Sequence, residues 1–248
     1  DVNGDGFSDL IIGAYGADPA GKTSAGRSYV IFGGIDRVTK TSAIDFLGTS
    51  AGETLNGTNT TSGMNEQFIA GAGNDTLIGG GGADVMYGGA GNDTFKLNTD
   101  NVAKLDDTGT SQNIARIDGG TGLDKIVLDG SGITMDLTAI KTDVISNIEQ
   151  IDISGSGANT VKLNLSDVLD MGSSNLFDVN TAAIDTRKQL MITGDAGDVV
   201  QLTDLSNWTL QSGANSTFTQ NDHNYVVYNH NTANVQLLVD EAIYNANA

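Results

Sequence analysis

Three nonapeptides follow one another without a gap: AGAGNDTLI at 70–78, GGGGADVMY at 79–87 and GGAGNDTFK at 88–96. All fit G-G-x-G-x-D-x-U-x, where U is large and apolar and Ala70 stands in for the first leading glycine. Few folds tolerate such a period. The glycines at positions two and four (Gly71 and Gly73, Gly80 and Gly82, Gly89 and Gly91) allow a tight turn at backbone angles other residues resist. That turn directs carbonyl oxygens inward, and the aspartate at position six, Asp75, Asp84 or Asp93, adds a carboxylate. A ligand set made only of oxygen suits a hard cation such as calcium. The U residue points into the core of a short strand. Gly- and Asp-rich sequence also makes flexible linkers, but a linker has no reason to hold an apolar residue at one place in a nine-residue frame.

Weaker copies flank the array. Residues 61–69 (TSGMNEQFI) keep the frame with Glu66 and Phe68, and 48–56 (GTSAGETLN) keep it with Glu53 and Leu55, ahead of a four-residue insertion at 57–60. Residues 119–127 (GGTGLDKIV) are a clean copy carrying Gly120, Gly122, Asp124 and Ile126. The array resembles the calcium-binding repeats of RTX proteins, which wind into a parallel β-roll. Two nonapeptides then make one coil, so Asp75 is expected in one calcium row with Asp93, and Asp84 in the opposite row near Glu66.

The chain has 248 residues with 33 Gly, one Pro and no Cys, and 38% of it is hydrophobic. This reads as all-β with many tight turns. Short helical candidates lie only near 165–171 and 236–245. The net charge of −19 argues against a nucleic-acid binder, which is basic. Compact acidic chains repel themselves, and bound divalent cations relieve that repulsion. The absence of cysteine excludes disulfides, leaving calcium as the staple. No 18-residue apolar run marks a transmembrane segment. The sequence opens on a candidate ligand, Asp1, and so reads as part of a longer chain.

Residues 1–45 form a separate unit, with strands expected at 9–15 and 28–32. DVNGDGFSD resembles the first half of an EF-hand loop, but position twelve is Ile12 rather than an acid. The spacing and the strand after it are similar to an FG-GAP repeat. That resemblance implies calcium ligands at Asp1, Asn3, Asp5, the Phe7 carbonyl and Asp9. An Asx-rich turn held by its own hydrogen bonds is the structural alternative.

The expected organisation is an FG-GAP-like hairpin unit at 1–45, a β-roll at 46–97, a loop or excursion at 98–116 and a C-terminal β module at 117–248. In the last, short strands alternate with turns, as an irregular continuation of the solenoid or a sandwich-like cap. GDAGDVVQL at 194–202 is a decayed repeat with Asp198 at the acid position. Together with NIEQIDISGSGANTVKLNLSDVL at 147–169, these features resemble the C-terminal end of large repetitive RTX adhesins of Gram-negative bacteria. The resemblance implies several bound Ca2+ ions, export by the type I secretion machinery with a signal near LLVDEAIYNANA, and a secreted or cell-surface location. The alternatives are a calcium-dependent glycan-binding domain that meets host or biofilm ligands, and the RTX tail of a secreted toxin or hydrolase.

Several motifs imitate catalytic ones. GADPAGKT at 16–23 fits the P-loop pattern, but a P-loop must open a helix, and a turn and strand are expected instead. GTSAG at 48–52 fits the nucleophile elbow yet falls inside the repeat frame. His223 and His230, the only histidines, are expected as loop or edge residues on opposite faces. Trp208, Tyr225 and Tyr228 are expected in the core or rim rather than at a sugar site. No enzyme activity is expected of this chain.

Overall fold

The computed structural model describes residues 10–14, 27–31, 44–57, 64–105, 115–174, 176–177, 186–213 and 216–247. At the N-terminus β1 (Leu10–Ala14) and β2 (Arg27–Ile31) pair antiparallel, with Leu10 opposite Ile31.

The repeat array forms a two-sided coil. One side is a parallel sheet of β3 (Phe46–Leu47), β5 (Gln67–Ala72), β7 (Val85–Ala90), β9 (Arg116–Thr121) and β12 (Ile145–Ser146). The other begins with β4 (Thr54–Asn56), β6 (Thr76–Ile78), β8 (Thr94–Leu97), β10 (Lys125–Leu128) and β13 (Gln150–Asp152), and continues through β16 (Lys188–Thr193) to β21 (Val235–Asp240). Successive side chains on a strand face opposite ways, so a fixed register stacks the U residues. One column runs Leu55, Leu77, Phe95, Ile126, Ile151, Ile192 and Val239. The facing column runs Phe46, Phe68, Met86, Ile117 and Ile145. Leu77, Phe95 and Ile126 are wholly buried, and the Phe46 and Phe68 rings stack at 4.6 Å.

Beyond β10 the coil gains a third face. The strands β11 (Thr134–Asp136), β14 (Thr160–Leu163) and β17 (Val199–Leu202) pair parallel and stack Met135, Val161 and Val200. The described strands between 117 and 202 therefore continue the parallel stacking of the coil. Its far end is antiparallel: β20 (His223–His230) pairs with β21, and β18 (Trp208–Leu210) and β19 (Thr217–Gln220) pair with β20.

Two expectations are corrected. Residues 99–105, read as part of a loop or excursion with no helix, form the helix α1 (Thr99–Leu105). Asn98 caps it by accepting from the amides of Asp100 and Asn101, each at 3.0 Å, and Val102 and Leu105 enter the core. The second helical candidate begins late: strand β21 runs to Asp240, and α3 (Glu241–Asn247) follows. The first candidate is the helix α2 (Leu165–Met171), with a capping box between Asn164 and Asp167.

Candidate metal rows

Each coil has two turns, one entering the long sheet and one leaving it. The entering turns carry Glu53, Asp75, Asp93, Asp124 and Glu149, stacked in one row. The amide of each acid donates to the carboxylate of the next: Glu53 N–H to Asp75 Oδ1 at 2.7 Å, Asp75 to Asp93 at 2.8 Å, Asp93 to Asp124 at 2.7 Å, and Asp124 to Glu149 Oε2 at 2.9 Å. A parallel asparagine ladder supports the row. Asn74 Oδ1 accepts from Asn92 N–H, and Asn92 Oδ1 from Leu123 N–H. The repeated Asn at position five of AGAGNDTLI and GGAGNDTFK was the available signal for this ladder, which sequence reasoning missed.

The site glycines, Gly71, Gly73, Gly80, Gly82, Gly89, Gly91, Gly120 and Gly122, all have positive φ, from +72° to +150°. Gly91 and Gly122 show why a side chain is excluded as well. A methyl on either would run into the carbonyl oxygen of Gly73 or Gly91, one coil back. The turns stack in register, with Gly71 opposite Gly89 and Gly89 opposite Gly120.

The row has a chemical deficit. Asp75, Asp93 and Asp124 are no more than 1% exposed, and the second oxygen of each, Oδ2, is buried without a hydrogen-bond partner. A buried polar group left unmatched costs about 1–3 kcal/mol, more when charged. The space beside Asp124 Oδ2 is lined by further oxygen. A Cβ on Gly119 would lie 2.6 Å from that atom and would collide with the Asn147 carbonyl oxygen. One on Gly88 would collide with Asp93 Oδ2 and lie 2.7 Å from the Gly119 carbonyl oxygen. Carboxylate and main-chain oxygens thus converge with no donor between them, a donor set that fits calcium. Among the described residues no group of three or more His, Cys, Asp or Glu side chains gathers as a metal cage, so the carbonyls are integral to this fit.

The electrostatics agree. Burial raises the carboxyl pKa of Asp75 and Asp93 and lifts Asp124 to about 7, with the charges of Asp93, Glu149 and Asp118 adding to the last. Burial also raises Glu149 at the end of the row, where the Ser173 hydroxyl donates to it at 2.7 Å. At the exposed end, the Thr49 hydroxyl and amide hold Glu53 below its usual range.

The leaving turns differ. Glu66 and Asp84 are adjacent, with Glu66 N–H donating to Asp84 Oδ1 at 2.9 Å. Burial raises Asp84 to about 7, but Asn101 Nδ2 donates to its Oδ2 at 2.8 Å. Farther along this flank, Asp198 accepts from Asn159 N–H at 2.8 Å and, through its other oxygen, from Asp195 N–H at 2.7 Å. Both oxygens accept main-chain amides of the turn, and the expectation of a ligand at Asp198 is neither met nor overturned by this arrangement.

The expected ligands Asp1, Asn3, Asp5, Phe7 and Asp9 lie outside the described residues, as does the P-loop-like 16–23. The strands on either side of 16–23 form an antiparallel hairpin, not the strand–loop–helix a P-loop needs. GTSAG leads into strand β4. The two histidines terminate β20: His223 Nδ1 lies 2.6 Å from Asp240 Oδ2, and His230 packs edge-on against Trp208.

Residues 60–95 match the RTX calcium-binding nonapeptide repeat in four copies, and residues 1–31 match the FG-GAP repeat. No curated protein and no solved structure matches the chain. RTX repeats bind calcium and imply an exported substrate of type I secretion. Among the described residues no helix is long and apolar enough to cross a membrane.

Proposed function

For this RTX-type repeat protein with an FG-GAP repeat at its N-terminus, we propose the role of a non-catalytic, calcium-gated folding and export module. The observation that carries the proposal is the row of three buried, unpartnered carboxylate oxygens on Asp75, Asp93 and Asp124. Calcium supplies the missing counter-charge for these oxygens. In its absence the row disfavours the coil, and a chain of net charge −19 remains extended enough for a narrow export channel.

Magnitudes support a gate rather than an ornament. Extracellular calcium modules bind with dissociation constants on the order of 10⁻⁴–10⁻³ M. A site at about ten to a hundred times its dissociation constant contributes roughly 1.4–2.7 kcal/mol. Three such sites contribute about 4–8 kcal/mol, comparable with a domain's net stability of roughly 5–15 kcal/mol.

Two of the three aromatic residues that a glycan-binding reading would use offer it little support, and the third, Tyr228, is half-buried. Trp208 and Tyr225 are buried, and the Trp208 indole donates to Asp204 Oδ1 at 3.0 Å. We assign contact with cell-surface, host or biofilm ligands to other parts of a parent adhesin.

The test is a calcium titration followed by circular dichroism, with magnesium as control. At the growth temperature a cooperative coil-to-β transition with calcium alone is expected, the metal-free chain folding only on cooling or at lower pH. A chain fully folded in chelator at that temperature would reduce the row to a local brace and end the gating proposal.

A further inference from the structure

Asp75, Asp84, Asp93 and Asp124 hold the acid position of the four clean repeats, yet only Asp84 finds a donor for its second oxygen. The donor comes from outside the repeat. Asn101, on α1 and 3% exposed, places Nδ2 at 2.8 Å from Asp84 Oδ2 and 3.2 Å from the Gly82 carbonyl oxygen. One amide group thus has a proton for a carboxylate and a proton for a main-chain carbonyl. Its own Oδ1 accepts from Gly81 N–H at 3.1 Å, and Asp100 Oδ2 accepts from Gly82 N–H at 2.7 Å. The helix therefore clamps the whole turn.

The position of the amide matters. A Cβ on Gly79, the leading glycine of this repeat, would lie 2.7 Å from Asn101 Nδ2 and 2.8 Å from its Oδ1. Beside the leading glycine Gly119 of the entering row, the neighbours are instead Asp124 Oδ2 and the Asn147 carbonyl, both acceptors. Asn101 occupies the place where the other row has a deficit of positive charge.

The same flank repeats the device within the main frame. SGSGANTVK at 154–162 follows the nonapeptide pattern with Asn159 where aspartate is expected and Val161 at U. Asn159 Oδ1 accepts from Ile133 N–H at 2.8 Å, as the aspartates accept from their neighbours. Its Nδ2 donates to the carbonyls of Ile153 at 3.0 Å and Gly130 at 3.3 Å.

We propose that Asn101 is a built-in substitute for a cation, which withholds the Asp84 turn from calcium and confines binding within the clean repeats to the Asp75–Asp93–Asp124 row. The proposal rests on the reading that this row binds calcium. It makes the clean repeats one-sided: the entering turns depend on calcium, and the Asp84 turn is closed by the Asn101 amide.

Counting bound ions tests it. Equilibrium dialysis with radioactive calcium on the whole chain gives the number of ions for the wild type, D84N, D93N and N101D. D84N is expected to bind as many ions as the wild type, and D93N at least one fewer. N101D keeps the side-chain shape but faces Asp84 with a second carboxylate, so it is expected to bind one more. A D84N chain that loses an ion, or a folded N101D chain that gains none, overturns the proposal while leaving calcium in the entering row intact. A wild type that binds no calcium overturns both readings.

Discussion

At the residue scale, one atom separates a structural turn from a metal turn. Asp124 and Asn159 occupy the same place in the frame, and each accepts a neighbouring amide through Oδ1. They differ at the second atom, which is an unpartnered oxygen in Asp124 and a donating nitrogen in Asn159. This predicts a change of sign with Asp124→Asn. In chelator the variant loses a buried unmatched oxygen and gains a donor toward the Asn147 carbonyl. It should be more stable than the wild type by about 1–3 kcal/mol, or a few degrees of melting temperature at roughly 2–4 °C per kcal/mol. In saturating calcium the order should invert, because the variant has lost a ligand. Calorimetry in the two buffers checks this, and a variant weaker than the wild type in both would remove Asp124 Oδ2 as the atom that matters.

At the element scale, the coil is held by columns rather than by single strands. Strands of three or four residues have little stability alone, and their register is set by what stacks above and below. Phe95 sits between Leu77 and Ile126 and is wholly buried. Phe95→Ala should cost about 3–5 kcal/mol. Thr94→Ala, on the outer face of the same strand, should stay within about 0.5 kcal/mol. Equal losses in urea unfolding would mean that the column is not the unit of stability. These columns were legible because period nine and strand alternation agree at Leu77, Met86 and Phe95. The third face was less so, since the glycine pair Gly130 and Gly132 ahead of β11 has Thr134 where the repeat has its acid, and the strand is specified by stacking on β14. Helix α1 was also hidden. What fixes it is the Asn98 cap, the burial of Val102 and Leu105 and the long-range contact of Asn101 with Asp84. The pairing of Asp75 with Asp93 was legible from aspartate spacing, but the extension of the row to Asp124 and Glu149 was set by long-range stacking, and its one-sidedness depends on an asparagine that lies outside any repeat.

At the scale of the whole molecule, the row links folding to protons as well as to calcium. Burial raises Asp75, Asp93 and Glu149, and lifts Asp84 and Asp124 to about 7, against about 4 for such groups in an unfolded chain. The metal-free fold therefore binds more protons than the unfolded chain between pH of about 4 and about 7, and stability falls with pH wherever the native state holds the extra protons. The contribution of these groups is most favourable below the unfolded value and is lost as pH rises through the folded value. Glu53 and Asp136, both lowered, pull the other way, but they are at exposed or half-exposed positions where water screens them. In chelator the chain should thus melt higher at pH 5 than at pH 8. Calcium requires the ionised carboxylates, since ligands must be deprotonated to bind a metal, so its affinity for the already folded, protonated row should rise over the same interval, whereas the unfolded chain is already ionised there and the calcium needed to fold it should not fall. General repulsion in an acidic chain has the same sign, and Asp124→Asn separates the two. If the row is responsible, that variant has a shallower pH dependence in chelator than the wild type. A melting temperature in chelator that is flat or rises from pH 5 to pH 8 would show that the buried row does not set the proton balance of folding.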